Sequence, residues 1–202
     1  RSQVMASIGL APPVLAAGNL ADGTSILVQP AISGRKPSLA DFRFYLDRMA
    51  RMIDTFHHSR AMKAILPEIP SEQYSAIGLR SLAHIQQRWE RYKAQVPSVA
   101  GWVDKSIDDL RQQVERFEGS GSVASHNDIC NANWLIGDDG KVYLVDFESM
   151  SQEDPAVDIG AILWWYYPPE LRPRFLEITG YAGNEQFRTR MQVRMAMHCL
   201  HI

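Results

Sequence analysis

The sequence has little of what marks several common classes of protein. Only two of its 202 residues are cysteine, Cys130 and Cys199, and they share no metal-ligand or redox spacing. That scarcity counts against a disulfide-framed secreted domain and points to a reducing, cytoplasmic setting. Excess basic charge is also missing: 21 Lys and Arg stand against 23 Asp and Glu, for a net charge of −2. The basic residues are scattered over Arg35-Lys36, Arg88, Arg91 and Lys93, which argues against a nucleic-acid surface. No stretch approaches the ~18 apolar residues a bilayer span requires. The longest, Ala161 to Tyr167, is short and aromatic. No basic segment followed by an apolar one opens the chain, so no signal peptide is read.

What is present is ordinary globular material, 46% apolar and 22% charged, enough for one good core or one domain plus part of another. The chain opens on Arg1 already in helical register (Val4, Met5, Ile8). It stops at Ile202 inside a periodic stretch that starts at Met191. That last stretch carries no capping residue, and the sequence, cut at both ends, reads as a fragment of a longer chain.

Residues 1–8 predict the tail of a helix, closed by Gly9. A Pro-rich entry leads to a strand over 11–18, turn chemistry over 19–23 and a second strand over 24–29, which together predict a hairpin. Pro30 to Pro37 reads as a linker. Ser38 with Asp41 forms a capping-box signature, and Leu39, Phe42, Leu46, Met49, Ile53 and Phe56 then form one apolar stripe of a long helix. His57-His58 ends that helix and reads as a C-terminal cap rather than a metal pair, because neighbouring residues do not share a helix face. Two further helices are expected over 71–95 and 98–118, the second burying Val99, Trp102, Val103, Ile107, Leu110, Val114 and Phe117. Gly119 to Ser122 breaks it.

The texture then changes to short strands: Val123 to His126, Trp134 to Ile136, and Val142 to Val145, the last two joined by the turn Gly137-Asp138-Asp139-Gly140. Asp154 and Pro155 open a helix to about Tyr167, and helical segments follow over 169–179 and 184–202. Trp164 to Tyr167 are four consecutive aromatics that point around most of a helix. Some must pack, and some can line a cleft where an aromatic face would hold an ammonium.

The chemistry concentrates in Ser125-His126-Asn127-Asp128-Ile129-Cys130-Asn131-Ala132-Asn133-Trp134. This is His-x-Asp, four residues, then Asn and an apolar strand. Asp146 follows in Leu144-Val145-Asp146-Phe147-Glu148, and Asp158 in Pro155-Ala156-Val157-Asp158-Ile159-Gly160. Phosphoryl transfer needs a base beside the accepting hydroxyl and hard oxygen ligands that hold Mg²⁺ against the nucleotide phosphates. A loop between two short strands can set Asp128 and Asn133 at one rim, and the hairpin brings Asp146 back toward the same point. Cys130, inside this loop, carries no mark of a nucleophile and reads as a small loop residue.

This ordered set resembles the catalytic and metal-binding motifs of the protein-kinase signature, and more closely its small-molecule branch, the choline/ethanolamine kinase and aminoglycoside phosphotransferase superfamily. Asn127 replaces the usual arginine, Glu148 replaces the glycine of Asp-Phe-Gly, and only Glu148 to Asp154 separate Asp146 from the next helix. That leaves no room for a peptide-binding activation segment. The resemblance implies an α+β, protein-kinase-like fold: a partial β N-terminal lobe and hinge over 1–32, and a mostly helical catalytic lobe with an embedded hairpin over 33–202. It implies Asp128 as base, Asn133 and Asp146 as Mg²⁺ ligands, and His126 and Asp158 as braces of the loop. Glu148 would reach a metal-bound water or the substrate, and Val28, Gln29 and Ala31 would form the hinge that touches adenine through backbone groups. ATP and Mg²⁺ are the implied cofactors, and the implied acceptor is a hydroxyl on a small, amine-bearing molecule, with choline or ethanolamine ahead of aminoglycosides and other metabolites.

Two readings of other classes stand beside it. A binding or regulatory module without transfer activity is one, since neither a Gly-rich phosphate loop nor a Val-Ala-x-Lys strand occurs here; the family carries both upstream, so truncation is the expectation. A phosphohydrolase acting through the same carboxylates on water is the other.

Overall fold

The computed structural model describes residues 1–201; Ile202, the last position of the expected 184–202 segment, lies outside the described residues. Helix α1 (Ser2–Ser7) ends as Gly9 turns the chain at φ +77°. Met5, Leu10 and Ala11 are buried in the same cluster as Phe42, Met49 and Trp134. Strands β1 (Ala16–Asn19) and β2 (Ser25–Val28) form the expected antiparallel hairpin, and Asp22 fixes its turn by accepting from the Thr24 N–H at 2.9 Å.

The expected linker contains a two-residue strand, β3 (Gly34–Arg35). Helix α2 (Leu39–Phe44) starts at the capping box: Ser38 Oγ accepts from the Asp41 N–H (3.3 Å), and Asp41 Oδ2 accepts from the Ser38 N–H (2.8 Å). The single long helix expected here breaks at Tyr45 (φ −95°, ψ 17°) and restarts as α3 (Leu46–His57). The apolar stripe nevertheless holds: Phe42, Leu46, Met49, Ile53 and Phe56 are all buried, and Leu39 alone of the expected set is exposed. A short helix that the sequence reading lacks, α4 (Arg60–Ile65), is capped by Ser59 and buries Met62.

Helices α5 (Tyr74–Tyr92) and α6 (Ala100–Glu115) pack through Leu82, Ile85, Ile107, Leu110 and Val114. The expected α6 face is corrected at its start, where Trp102 is 66% exposed and Val99 44%. Strand β4 (Val123–Ser125), fully buried, leads into the motif loop. Strands β5 (Trp134–Gly137) and β6 (Val142–Leu144) form the expected hairpin, and β3 adds to it in the order β3-β5-β6. A Cβ at Gly34 would overlap the Ile136 carbonyl, so glycine is what lets β3 approach. Strand β7 (Ser151–Glu153), absent from the sequence reading, pairs antiparallel with β4. Helices α7 (Ala156–Tyr166), α8 (Arg172–Ile178) and α9 (Glu185–His201) complete the chain, with Met191 and Met195 of α9 against Gly160 of α7. Among the described residues no helix is long and apolar enough to cross a membrane.

Candidate active site

Asp158 organises the motif loop. It sits in the first turn of α7 with its side chain 1% exposed. Its Oδ2 accepts from the His126 N–H at 2.8 Å, and its Oδ1 from the Asn127 N–H at 2.9 Å. A third donor comes from 101 residues away: His57 Nε2 lies 3.0 Å from Oδ2. Burial alone would push the Asp158 carboxyl up; the hydrogen bond and charge of His57, with His126, outweigh it and hold the group below the usual carboxylate range. Asp158 thus links the backbone of the loop to the end of α3, and the expected role of His57 is corrected. Only His58 makes the local helix-end contact, to the Asp54 carbonyl at 2.9 Å; His57 turns inward because α3 packs against β4.

His126 ties the loop to the second motif. Its Nε2 lies 3.0 Å from the Val145 carbonyl, and because a carbonyl can only accept, Nε2 carries the proton. Asn127 holds φ +65°, a left-handed conformation that Asn tolerates better than most residues. Its amide donates to the Ser149 carbonyl (2.8 Å) and to Ser151 Oγ (2.9 Å), while its Oδ1 accepts from Ser125 Oγ (2.8 Å). In the sequence this residue stands only where arginine is usual; in the fold it pins the loop to the segment after Asp146.

Asn133 is buried at the end of a 3₁₀ turn. Its Nδ2 donates to the Asp128 carbonyl (2.8 Å) and to Asp128 Oδ2 (2.9 Å), and its own carbonyl accepts from the Val145 N–H (3.0 Å). Asp128 and Asn133 are therefore in contact, and Asp146 is the next residue along from Val145. Asp146 also holds φ +65°. Asp128, Asp146 and Glu148 are exposed, and the Glu148 backbone is tied down by Arg1, whose Nη1 donates to the carbonyls of Phe147 (3.0 Å) and Glu148.

The donor set suits Mg²⁺ by its chemistry: hard carboxylate and amide oxygens, with the Asn133 nitrogen committed to Asp128 and its Oδ1 left as the amide's ligand atom. Among the described residues no group of three or more His, Cys, Asp or Glu is placed to hold a metal by itself. An ion here would draw the rest of its shell from phosphates and water, as Mg²⁺ commonly does.

Beside Asp128 opens a cavity of about 610 Å³, lined among others by Ile129, Cys130, Trp165, Tyr166 and Arg194. Of the four aromatics, Tyr167 is buried, Trp164 and Trp165 are each 48% exposed, and Tyr166 is half-buried. Tyr166 is fixed by stacking on Phe42 (4.0 Å between centroids, 7° between planes) and accepts from the Asn131 N–H at 2.7 Å.

At the expected hinge, the Val28 carbonyl already accepts from the Leu15 N–H (2.9 Å), and the Gln29 side chain donates to the Pro12 carbonyl (2.8 Å). Ala31 is exposed. Just beyond it, the Ser33 carbonyl accepts from the Asp138 N–H at 2.9 Å, which ties this segment to the β5–β6 turn.

A short hairpin, a largely helical body and a braced His-x-Asp loop define a protein-kinase-like α+β fold. The chain belongs to the phosphotransferase enzyme family, whose model matches residues 2–194. Solved structures share the fold. A choline/ethanolamine kinase family protein from Mesorhizobium loti superposes with a TM-score of 0.73 at 16% identity, covering 99% of this chain and 66% of its own. The GDP complex of aminoglycoside 2'-phosphotransferase-IIIa gives 0.70 at 12% identity, covering 98% and 71%. Plasmodium vivax ethanolamine kinase gives 0.65 at 14% identity, covering 98% and 62%. The chain thus spans about two thirds of the length of these proteins.

Proposed function

We propose that the whole protein transfers the γ-phosphoryl group of ATP to a hydroxyl of a small, amine-bearing molecule, in a cytoplasmic setting. Choline- or ethanolamine-like acceptors are favoured, with aminoglycosides and other metabolites as the alternative. One observation carries this reading: Asn133 holds Asp128 by both its carbonyl and its carboxylate at the mouth of a cavity large enough for such an acceptor.

In this reading Asn133 engages Asp128 Oδ2 and leaves Oδ1 to orient the acceptor hydroxyl and take its proton, a contribution of roughly 10²–10⁴-fold. Asn133 Oδ1 and Asp146 hold Mg²⁺, which when bound neutralises charge on the β- and γ-phosphates. Glu148 reaches the ion's water shell or the substrate. His126, Asn127 and Asp158 keep the loop in register. Residues 1–32 belong to the nucleotide-holding lobe, with backbone groups of Val28, Gln29 and Ala31 at the adenine, and residues 33–202 form the acceptor lobe. Trp165 and Tyr166 offer aromatic faces to an ammonium, worth roughly 0.5–2 kcal/mol.

Replacement of Asp128 by Ala in the whole protein tests the assignment. Transfer should fall by at least about 10²-fold while the melting temperature stays within a few degrees. Full activity in that variant would remove Asp128 from the chemistry.

A further inference from the structure

A second cavity, of about 230 Å³, lies where the Gly9–Leu10 turn after α1, the helix α3 and the strand β6 meet. It shares no lining residue with the cavity beside Asp128. Its α3 wall is one helix face, because positions 48, 51, 52 and 55 form a single stripe. The opposite wall carries Lys141 and Tyr143, two apart along an extended segment and so on one side of it. Leu10, Met52 and Val142 are buried, whereas Arg48, Arg51 and Lys141 are exposed. The cavity therefore has an apolar base and a basic rim. Three cations line it, and no Asp or Glu does.

Elsewhere on the surface, cations of this chain meet carboxylates closely. Lys63, Lys93, Arg174 and Arg188 each have a carboxylate oxygen within 3.1 Å. Arg48 instead gives Nη1 to the neutral Gly140 carbonyl at 2.7 Å, and among the described residues no carboxylate lies within ion-pair reach of it. Arg51 Nη2 stands 3.7 Å from Asp47 Oδ2, beyond hydrogen-bonding reach, while both oxygens of Asp47 are taken by Arg174 at 3.2 and 2.8 Å. Lys141 has a close carboxylate, Asp139 Oδ2 at 2.9 Å. The hydrogen bond and charge of Asp139 raise the Lys141 pKa and the Arg48 charge opposes them, as neighbouring cations should.

Cations gathered on one concavity without a carboxylate raise the local potential and draw an anion. Two guanidinium groups and an ammonium match a compact multivalent oxyanion: forked N–H pairs fit phosphate oxygens, and a phosphate brings nearly two charges. Size agrees, since the cavity is smaller than the ~300–1,000 Å³ that drug-sized ligands occupy. A phosphate on a short organic chain suits it, and a nucleotide does not.

The geometry points to a binding site for a small phosphate-bearing anion, seated among Arg48, Arg51 and Lys141 and separate from the catalytic cavity. Its place gives it a hold on the metal segment. The Leu10 carbonyl at its base accepts from the Leu144 N–H at 2.8 Å, and Asp146 follows two residues later. An anion bound here ties the α1 turn and α3 to the strand that delivers Asp146. The site does not depend on the transfer reading above.

Calorimetric titration of the whole protein with inorganic phosphate, in chelator and without nucleotide, tests it. Phosphate should saturate a site with a Kd of about 1 mM or tighter, and acetate at the same ionic strength should bind about tenfold more weakly or worse. The double variant Arg48→Gln, Arg51→Gln changes two exposed positions and should weaken phosphate about tenfold or more, with its phosphate-free melting temperature unchanged. Lys141→Gln, a second and independent variant, should weaken it about threefold or more. Ethyl phosphate separates the sources: tighter binding than inorganic phosphate identifies an organic phosphate that uses the apolar base, and equal or weaker binding identifies free phosphate. The proposal is overturned if neither phosphate binds, if acetate binds as tightly, or if the folded variants hold phosphate as tightly as the unsubstituted protein.

Discussion

His57 Nε2 donates to Asp158 Oδ2 across 3.0 Å, and both side chains are 1% exposed. One carboxylate thereby joins the end of α3, the start of α7 and the backbone of the motif loop. Cutting Asp158 back to Ala strands three donors at once: the buried His57 Nε2 and His126 N–H, and the part-buried Asn127 N–H. The expected loss is about 3 kcal/mol or more of unfolding free energy, read by urea denaturation. His57→Ala, which frees one contact, should cost less than Asp158→Ala. Equal stability of Asp158→Ala and the unsubstituted protein would show that the brace carries no weight.

The Asp158 carboxyl is held below its ordinary range, so the unfolded chain takes up this proton before the folded chain does. Its contribution is therefore fully present above the ordinary carboxylate value of about 3.9 and is lost as pH falls through the lower folded value. The stability difference between the unsubstituted protein and Asp158→Asn should stay flat from pH 7 to about 5 and shrink in stronger acid. A difference that grows on acidification would contradict the direction of the shift.

Asn127 combines φ +65° with three side-chain hydrogen bonds, and two substitutions separate these effects. Asn127→Gly keeps the backbone conformation and loses the bonds, whereas Asn127→Ala loses the bonds and adds left-handed strain, roughly 1 kcal/mol more. Thermal melts should rank unsubstituted above Gly and Gly above Ala. Ala at or above Gly would mean that the conformation is not held.

Legibility from sequence followed range. The Ser38–Asp41 capping box, the β5–β6 hairpin and the apolar stripe on α2 and α3 depend on neighbours a few residues apart, and each could be read. The motif loop could be read because its spacing is fixed by one strand–loop–strand unit. His57 could not: its partner is 101 residues away, and locally it looks like any histidine at a helix end. Asp154 shows both sides. It does accept from the Ala156 N–H as a helix-opening residue should, yet its other oxygen belongs to Arg190, 36 residues on. Arg194 is hidden in the same way: an ordinary basic residue within the α9 pattern, it is buried beside Glu153 and Asp154, 41 and 40 residues back. Strand β7 is not legible in the sequence because Ser151-Gln152-Glu153 has no apolar alternation; its pairing with β4 is what makes it a strand.

The central claim is that Asn133 and Asp146 converge on one divalent cation beside Asp128. Titration of the whole protein with Mn²⁺ in the presence of ATP, followed by electron paramagnetic resonance, addresses it without relying on turnover. The account predicts a tight site that Asp146→Asn abolishes and Asn133→Ala weakens about tenfold or more, with circular dichroism unchanged in both variants. Unaltered Mn²⁺ binding in both folded variants would contradict it.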